Sequence, residues 1–369
     1  MMPKSCLSTV STAFAAALIA ALALPAATTR ALTTPAAATQ SAAQAGPPAI
    51  NLPLEGWTVV AQDKGILKEE FDKIGTTEIR LLDPGTTQMS GAEAALLDRG
   101  GLAFAQRMMY PAAVHRANGL DAVIIWQSVA SDEYRLPVLA LKDSSYSSVK
   151  DLAGLALGSS RVGCGWTSPV EILDTAGVPL STRIRQGSVR HETIENSATV
   201  NAALLSGRIA ATATHIAIPA AAALYTSGQV KVIGRSPTNG VYVNDAGRVS
   251  YFAMRDFADK YPAAVHAFLV ARLRAIDWIK NNVDDASEIV AKELRLPLNI
   301  ARFTITDRSA FAFMDGEPSA DVAVESVKIF QKYYIDHGDD ILIDHHLSDE
   351  QIEALIDRRF FAGGEYSIY

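Results

Sequence analysis

Twelve consecutive residues hold most of the groups in this chain that could do chemistry: Gly158-Ser-Ser-Arg-Val-Gly-Cys-Gly-Trp-Thr-Ser-Pro169. The mixture suits capture of a small anion. Gly158 lets the backbone come close, Ser159, Ser160 and Thr167 can donate hydrogen bonds, Arg161 offers a planar cationic fork, and Trp166 offers an apolar wall. The run follows a short apolar strand, Leu155 to Leu157, and leads into Ser168-Pro169, which reads as the cap and first position of a helix. Strand, polar loop and helix N-terminus form the edge of an open α/β sheet, where backbone N–H groups and the helix dipole converge on ligands. The same residues taken alone also describe an ordinary strand-to-helix turn with a capping serine.

Other chemistries are weaker on inspection. Cys164 between two glycines is a nucleophile only if a histidine such as His191 lies beside it; otherwise it is a small residue in a tight loop. Asp344-His345-His346, with Asp339 and Asp340 nearby, has no common metal-ligand spacing and reads as a solvated loop. Arg183, Arg185, Arg190 and His191 form a basic cluster that alternates with polar residues and faces water. The chain has no phosphate-binding glycine fingerprint, no Ser-His-Asp signature and no carboxylate pair at a telling spacing, so no cofactor or metal is expected.

The surrounding elements must position these groups. Before them, Trp57 to Phe71 reads as a helix broken near Gly65, Glu78 to Leu82 as a strand, Pro84 to Thr87 as a loop and Gly91 to Leu97 as a helix. Gly101 to Ala105 then reads as a strand, and Tyr110 to Ala117 as a helix stopped by Asn118-Gly119. Asp121 to Val129 and Leu136 to Leu141 are rich in β-formers. After the central run, strands are expected at Ile184 to Gln186, Ile209 to Thr214 and Val230 to Ile233, with helices at Ala198 to Leu205 and Pro219 to Tyr225. Val241 to Met254 reads as β structure around a polar turn at Asn244 to Gly247. Helices at Asp256 to Ile279, Asp285 to Leu294, Asp321 to His337 and Ser348 to Phe360 read as packing rather than chemistry. Two similar α/β halves imply a cleft between them.

Composition agrees with a folded, exported protein. The chain has 369 residues, 49% of them apolar, enough to bury a real core in about two domains. Lys4, the apolar run Ala13 to Leu24 and small residues after it resemble an export signal, too short to span a bilayer. The expected divisions are a cleaved signal peptide at 1–27, a flexible leader at 28–49 and a first lobe at 50–143. A second lobe follows at 144–240, with a return to the first lobe and C-terminal helices at 241–369. Cys6 leaves with the signal, so Cys164 stands alone and no intramolecular disulfide is expected. The net charge of −7, without a basic run, excludes a nucleic-acid binder.

Several pieces in order resemble the periplasmic solute-binding components of ABC importers in the nitrate, sulfonate and taurine group. They are Val60-Ala-Gln-Asp-Lys-Gly-Ile-Leu67, Ser148-Val-Lys-Asp-Leu-Ala-Gly154, the Gly158-Ser-Ser160 turn, Leu204 to Ile209, and Met254-Arg-Asp-Phe-Ala-Asp-Lys-Tyr-Pro262. The resemblance runs from about residue 57 to 338. It implies a periplasmic-binding-protein-like fold, two α/β lobes on a hinge of crossing strands. Such a protein acts as a monomer in the periplasm, closing over one small anionic ligand and presenting it to a membrane permease driven by an ATPase.

Carried onto this sequence, the resemblance points to Trp57, beside Gly56, and to Thr86, Thr87, Gln106 and Arg107 in the first lobe. In the second lobe it points to Ser159, Ser160, Arg161, Trp166, Thr214 and His215. The leading ligand is an aliphatic sulfonate or taurine, with nitrate, bicarbonate or a thiamine precursor behind it. The sequence departs from the family where acidic residues are frequent, holding Ala103, Ala210 and Thr214-His215-Ile216, and no clear strand opens the first lobe. The alternative is an enzyme on the same fold, desulfinase-like or related to thiamine-pyrimidine synthesis, using Cys164. On the binding reading, Arg161→Ala should weaken the ligand and leave the fold intact.

Overall fold

Among the described residues, alternating strands and helices build three sheets, β strands pairing two, three and five to a sheet. The computed structural model describes residues 45–83, 90–307 and 315–369. The expected signal peptide, the leader up to residue 44, and Thr86 and Thr87 lie outside them.

The first lobe opens with β1 (Ala49–Pro53), the strand the sequence hid behind its flanking prolines. Helices α1 (Gly56–Asp63) and α2 (Ile66–Asp72) follow, separated at Gly65, whose φ of 73° supplies the left-handed turn. Then come β2 (Glu78–Leu82), α3 (Ser90–Asp98), β3 (Ala105–Met108), α4 (Met109–Ala117) and β4 (Ala122–Gln127). β1 pairs in parallel with β2. The chain between Gly101 and Phe104, expected as a strand, instead ties the sheet together as irregular backbone: Ala103 N donates to Asn51 O at 3.0 Å, and Asn51 Nδ2 donates to Gly101 O at 3.0 Å. The regular strand begins only at Ala105.

The second lobe holds β5 (Pro137–Leu141), β6 (Ala156–Ser159), α5 (Cys164–Thr175), β7 (Arg190–Thr193), α6 (Ser197–Leu205), β8 (Ala211–Ala213), α7 (Pro219–Thr226) and β9 (Val230–Arg235). Its strand order is β7-β6-β8-β5-β9. β6 is parallel to both neighbours and buried along its length, the pattern of a sheet covered on both faces. β5 runs antiparallel between β8 and β9. β5 thus belongs to the same sheet as β6 to β9. The chain returns through β10 (Val249–Met254), antiparallel between β3 and β4.

Two segments differ from the expected β structure for visible reasons. Ile184 to Gln186 is a tight loop, held by the two terminal guanidinium nitrogens of Arg185 on Asp174 at 2.9 Å, and the edge strand forms at Arg190–Thr193. Tyr242–Ala246 is a π-helical turn because the Glu171 carboxylate accepts from Val241 N at 2.6 Å and Tyr242 N at 3.0 Å.

The remaining helices are α8 (Arg255–Lys260), α9 (Pro262–Asn281), α10 (Val283–Glu293), α11 (Leu298–Thr306), α12 (Ala320–Asp336), α13 (Asp340–Asp344) and α14 (Asp349–Leu355). α9 anchors the first lobe. Its Phe268 stacks on Phe104 at 4.1 Å between centroids and meets the edges of Trp57 and Tyr251 at 5.2 Å each. Burying each such ring contributes about 1.5–3 kcal/mol.

Candidate ligand cleft

A cleft of about 770 Å³ is lined from the first lobe by Glu55, Trp57, Glu93, Gln106 and Arg107, and from the second by residues 159–160 and 162–165, Thr214 and His215. Its position follows from local structure. α1 starts at the end of β1, α5 starts just beyond β6, and both helix N-termini open onto the cavity. α5 begins at Cys164, four residues before the expected Ser168-Pro169 start, with Gly163 as its N-cap and no side chain on its first amides.

That early start changes the role of Ser159. Pro169 lies inside α5 and has no N–H to give the Gly165 carbonyl one turn back. The Ser159 hydroxyl donates to that carbonyl instead and also meets His191 Nε2 at 3.0 Å. Gly165 is needed there, because a Cβ would lie 2.7 Å from Ser160 Oγ and 3.1 Å from Ala213 O. The hydroxyls of Ser160 and Thr214 line the cleft and have no partner among the described residues.

On the first-lobe wall, the Tyr251 hydroxyl is a hub. It accepts from Trp57 Nε1 at 2.7 Å and Gln106 Nε2 at 2.6 Å, and donates to Glu55 Oε2 at 2.8 Å. Trp57 Nε1 also reaches Glu55 Oε2 at 2.6 Å. Burial pushes Glu55 up to about 7, against the lowering effect of the Tyr251 and Trp57 hydrogen bonds. Burial likewise pushes Glu93 up to about 7, although it is ion-paired with Arg107 at 2.5 Å. Arg107 therefore carries a cation already matched by a carboxylate. His215 is buried and partnered at both nitrogens: Nε2 meets the Tyr134 hydroxyl, and Nδ1 accepts from Ala217 N at 3.3 Å. Desolvation pushes it down to about 3, so it is a neutral imidazole and supplies no charge.

Arg161 and Trp166 face elsewhere. They line a separate hollow of about 390 Å³ with Arg183, Arg190, His191 and Asp340. The Arg161 guanidinium lies 3.7 Å over the Trp166 ring and pairs with Asp339 at 3.1 Å and Asp340 at 2.6 Å. Asp339, 1% exposed, also accepts from Trp166 Nε1 at 2.6 Å and Tyr110 OH at 2.5 Å. The acidic run near His345 and His346 thus holds two lobes together through Asp339 and Asp340. The C-terminal helices do more than pack, since residues 293–296, Thr304 and Ile305 also line the cleft.

Cys164 lines the cleft, but burial pushes its thiol up to about 12 and leaves it protonated. Burial and the nearby Arg161 cation push His191 down to about 4, and its Nε2 is on Ser159. Among the described residues no group of three metal-binding side chains gathers, and no helix is long and apolar enough to cross a membrane. Sequence reasoning missed Glu55, Glu93 and Tyr251. Glu55 had one available signal, its place directly before the Gly56-Trp57 helix start; Glu93 and Tyr251 reach the site only through pairing across the sheet.

No family model matches the chain, and no curated protein matches it in sequence. Solved structures do resemble it. The alkanesulfonate-binding protein SsuA from Xanthomonas axonopodis pv. citri, bound to MOPS, superposes with a TM-score of 0.67 at 15% identity, covering 85% of this chain and 99% of that one. The periplasmic aliphatic sulphonate binding protein SsuA from Escherichia coli gives 0.62 at 18% identity, with 79% and 93% covered. A sulfonate-binding SsuA of an ABC transporter from Methylobacillus flagellatus KT gives 0.58 at 16% identity, with 86% and 92% covered. These likenesses show that the chain has the periplasmic-binding-protein fold, with SsuA-type sulfonate-binding proteins of ABC importers among its structural neighbours.

Proposed function

We infer that the chain is the substrate-binding component of an ABC-type importer. It captures a small organic anion, an aliphatic sulfonate or taurine, by closing its lobes, and delivers it to a membrane permease and ATPase. On this reading the protein works as a monomer in the periplasm after its signal peptide is removed, and it is a binder rather than an enzyme. The observation that carries the reading is the start of α5: an N-terminus capped only by Gly163 opens onto the cleft beside the Ser160 and Thr214 hydroxyls. Amides and dipole there suit a sulfonate head, and the apolar wall of Val162, Ile194 and Ile218 suits its short carbon chain. The protonated Cys164 thiol supports binding without chemistry.

A thermal-shift screen with taurine, ethanesulfonate, sulfate, nitrate, bicarbonate and an aminopyrimidine tests this, with each mixture analysed afterwards by mass spectrometry. A ligand at 100 times its Kd adds about 2.7 kcal/mol to stability. The expected result is a shift with a sulfonate that is recovered unchanged. No shift with any sulfonate, or a sulfonate consumed only when Cys164 is present, would overturn the reading.

A further inference from the structure

The two walls of the cleft are opposite in electrical character. On the second-lobe wall α5 starts at Gly163 with no acidic cap, but on the first-lobe wall α1 has its own carboxylate at the N-cap, Glu55. A ligand anion therefore finds the positive end of α1 already occupied. Among the groups around Glu55, one cation, Arg272 of α9, acts on its carboxylate. Trp57 of α1, Gln106 of β3 and Tyr251 of β10 are neutral donors, and Arg107 of β3 is matched by Glu93 of α3. Arg272 of α9 lies over the Trp126 ring at 3.9 Å and over that of Tyr251 at 5.6 Å. Asp83 and Glu293 add further acid at the rim, against Arg295.

We propose that Glu55 is the specificity-determining residue of the cleft, receiving an ammonium group on the ligand while the anionic head sits at the α5 N-terminus. The preferred ligand is then a zwitterionic aminosulfonate, and a plain aliphatic sulfonate is disfavoured. This rests on the sulfonate-binding reading above and narrows it. Tyr251 and Trp57 both engage Oε2, which fixes the carboxylate against rotation and presents it to the cleft as a preorganised acceptor.

The burial that raises Glu55 to about 7 gives the proposal a sign. Above that pH the carboxylate is charged, attracting an ammonium and repelling a plain anion. Below it the neutral acid does neither.

Calorimetric titration of the full chain with taurine and with ethanesulfonate, at about pH 8.5 and about pH 5.5, reads this directly. At the higher pH taurine should bind at least ~10-fold more tightly, and at the lower pH the ratio should approach one. Glu55→Gln should show the low-pH ratio at both pH values, with ethanesulfonate gaining affinity. Because Glu93 in the same cleft is also pushed up to about 7, Glu55→Ala and Glu55→Asp accompany that variant: the alanine should match the glutamine, and the aspartate should keep the preference for taurine at the higher pH. Equal or tighter ethanesulfonate binding at high pH, with a ratio unmoved by pH, overturns the role of Glu55 and leaves the sulfonate reading in place. Binding of neither compound at either pH overturns both.

Discussion

Ser159, Ser160 and Arg161 read in sequence as one polar turn, yet the three side chains do three different things. Ser160 faces the cleft, Ser159 repairs the helix at Pro169, and Arg161 pairs with Asp339 and Asp340. The difference was illegible because it depends on where α5 starts, and Ser168-Pro169 mimics a start signal four residues late. Ser159→Ala should leave the buried Gly165 carbonyl without a donor and cost about 1–3 kcal/mol, read as a lower urea midpoint. An unchanged midpoint would show that the hydroxyl does not support the helix. Cys164 has a similar contrast between appearance and environment. With its thiol near 12 it should resist alkylation in the native state at neutral pH, and Cys164→Ser should keep ligand affinity. Rapid labelling of the folded protein would contradict this.

The helices were read more accurately than the strands. Glycine stops after α4, α6 and α7 are local signals, confirmed by positive φ at Gly119, Gly207 and Gly228. Strands such as β3 and β7 are short and fixed by partners far along the chain, so Gly101 to Ala105 and Ile184 to Gln186 looked equally suitable. Capping joins the C-terminal elements to the second lobe. Asp339 caps α13, accepting from Ile341 N at 3.0 Å and Leu342 N at 3.1 Å, while it also binds Arg161, Trp166 and Tyr110. Asp339→Asn should therefore destabilise the protein by about 1–3 kcal/mol, because a neutral amide is a poorer acceptor for Arg161, Trp166 and Tyr110 while Asp340 still pairs with Arg161. Arg161→Ala should lower stability as well, which revises the expectation that it affects only the ligand. Denaturant unfolding of both variants checks this, and wild-type stability with reduced ligand affinity would return Arg161 to the binding site.

At the scale of the whole molecule, two lobes and a cleft were legible from the repeated alternation of elements. The sheet each strand joins was less legible, because β4 and β5 are both apolar runs and only pairing assigns β5 to the five-stranded sheet. Buried titratable groups in both lobes set a pH dependence of stability. His115 and His191 are pushed down to about 4 and His215 to about 3, chiefly by burial. The unfolded chain takes up these protons near 6.5 and the native chain does not, so the histidines destabilise the fold as pH falls below that value. Glu55 and Glu93, raised from 4.5 to about 7, act oppositely: the native state holds their protons between those values, which adds stability as pH falls. Urea midpoints should therefore change little from about pH 7 to about pH 4.5 and fall steeply below, where the histidines act unopposed. A steep loss already between pH 7 and 5 would show that the two glutamates do not offset them.

The central claim is that the cleft captures a sulfonate by lobe closure, and small-angle X-ray scattering of the full chain with and without millimolar taurine tests it most directly. The account predicts a smaller radius of gyration with taurine, reversed on dialysis, because contacts from α1 and α5 can be made together only when the lobes approach. An identical scattering profile with and without taurine, with ethanesulfonate equally silent, would contradict it.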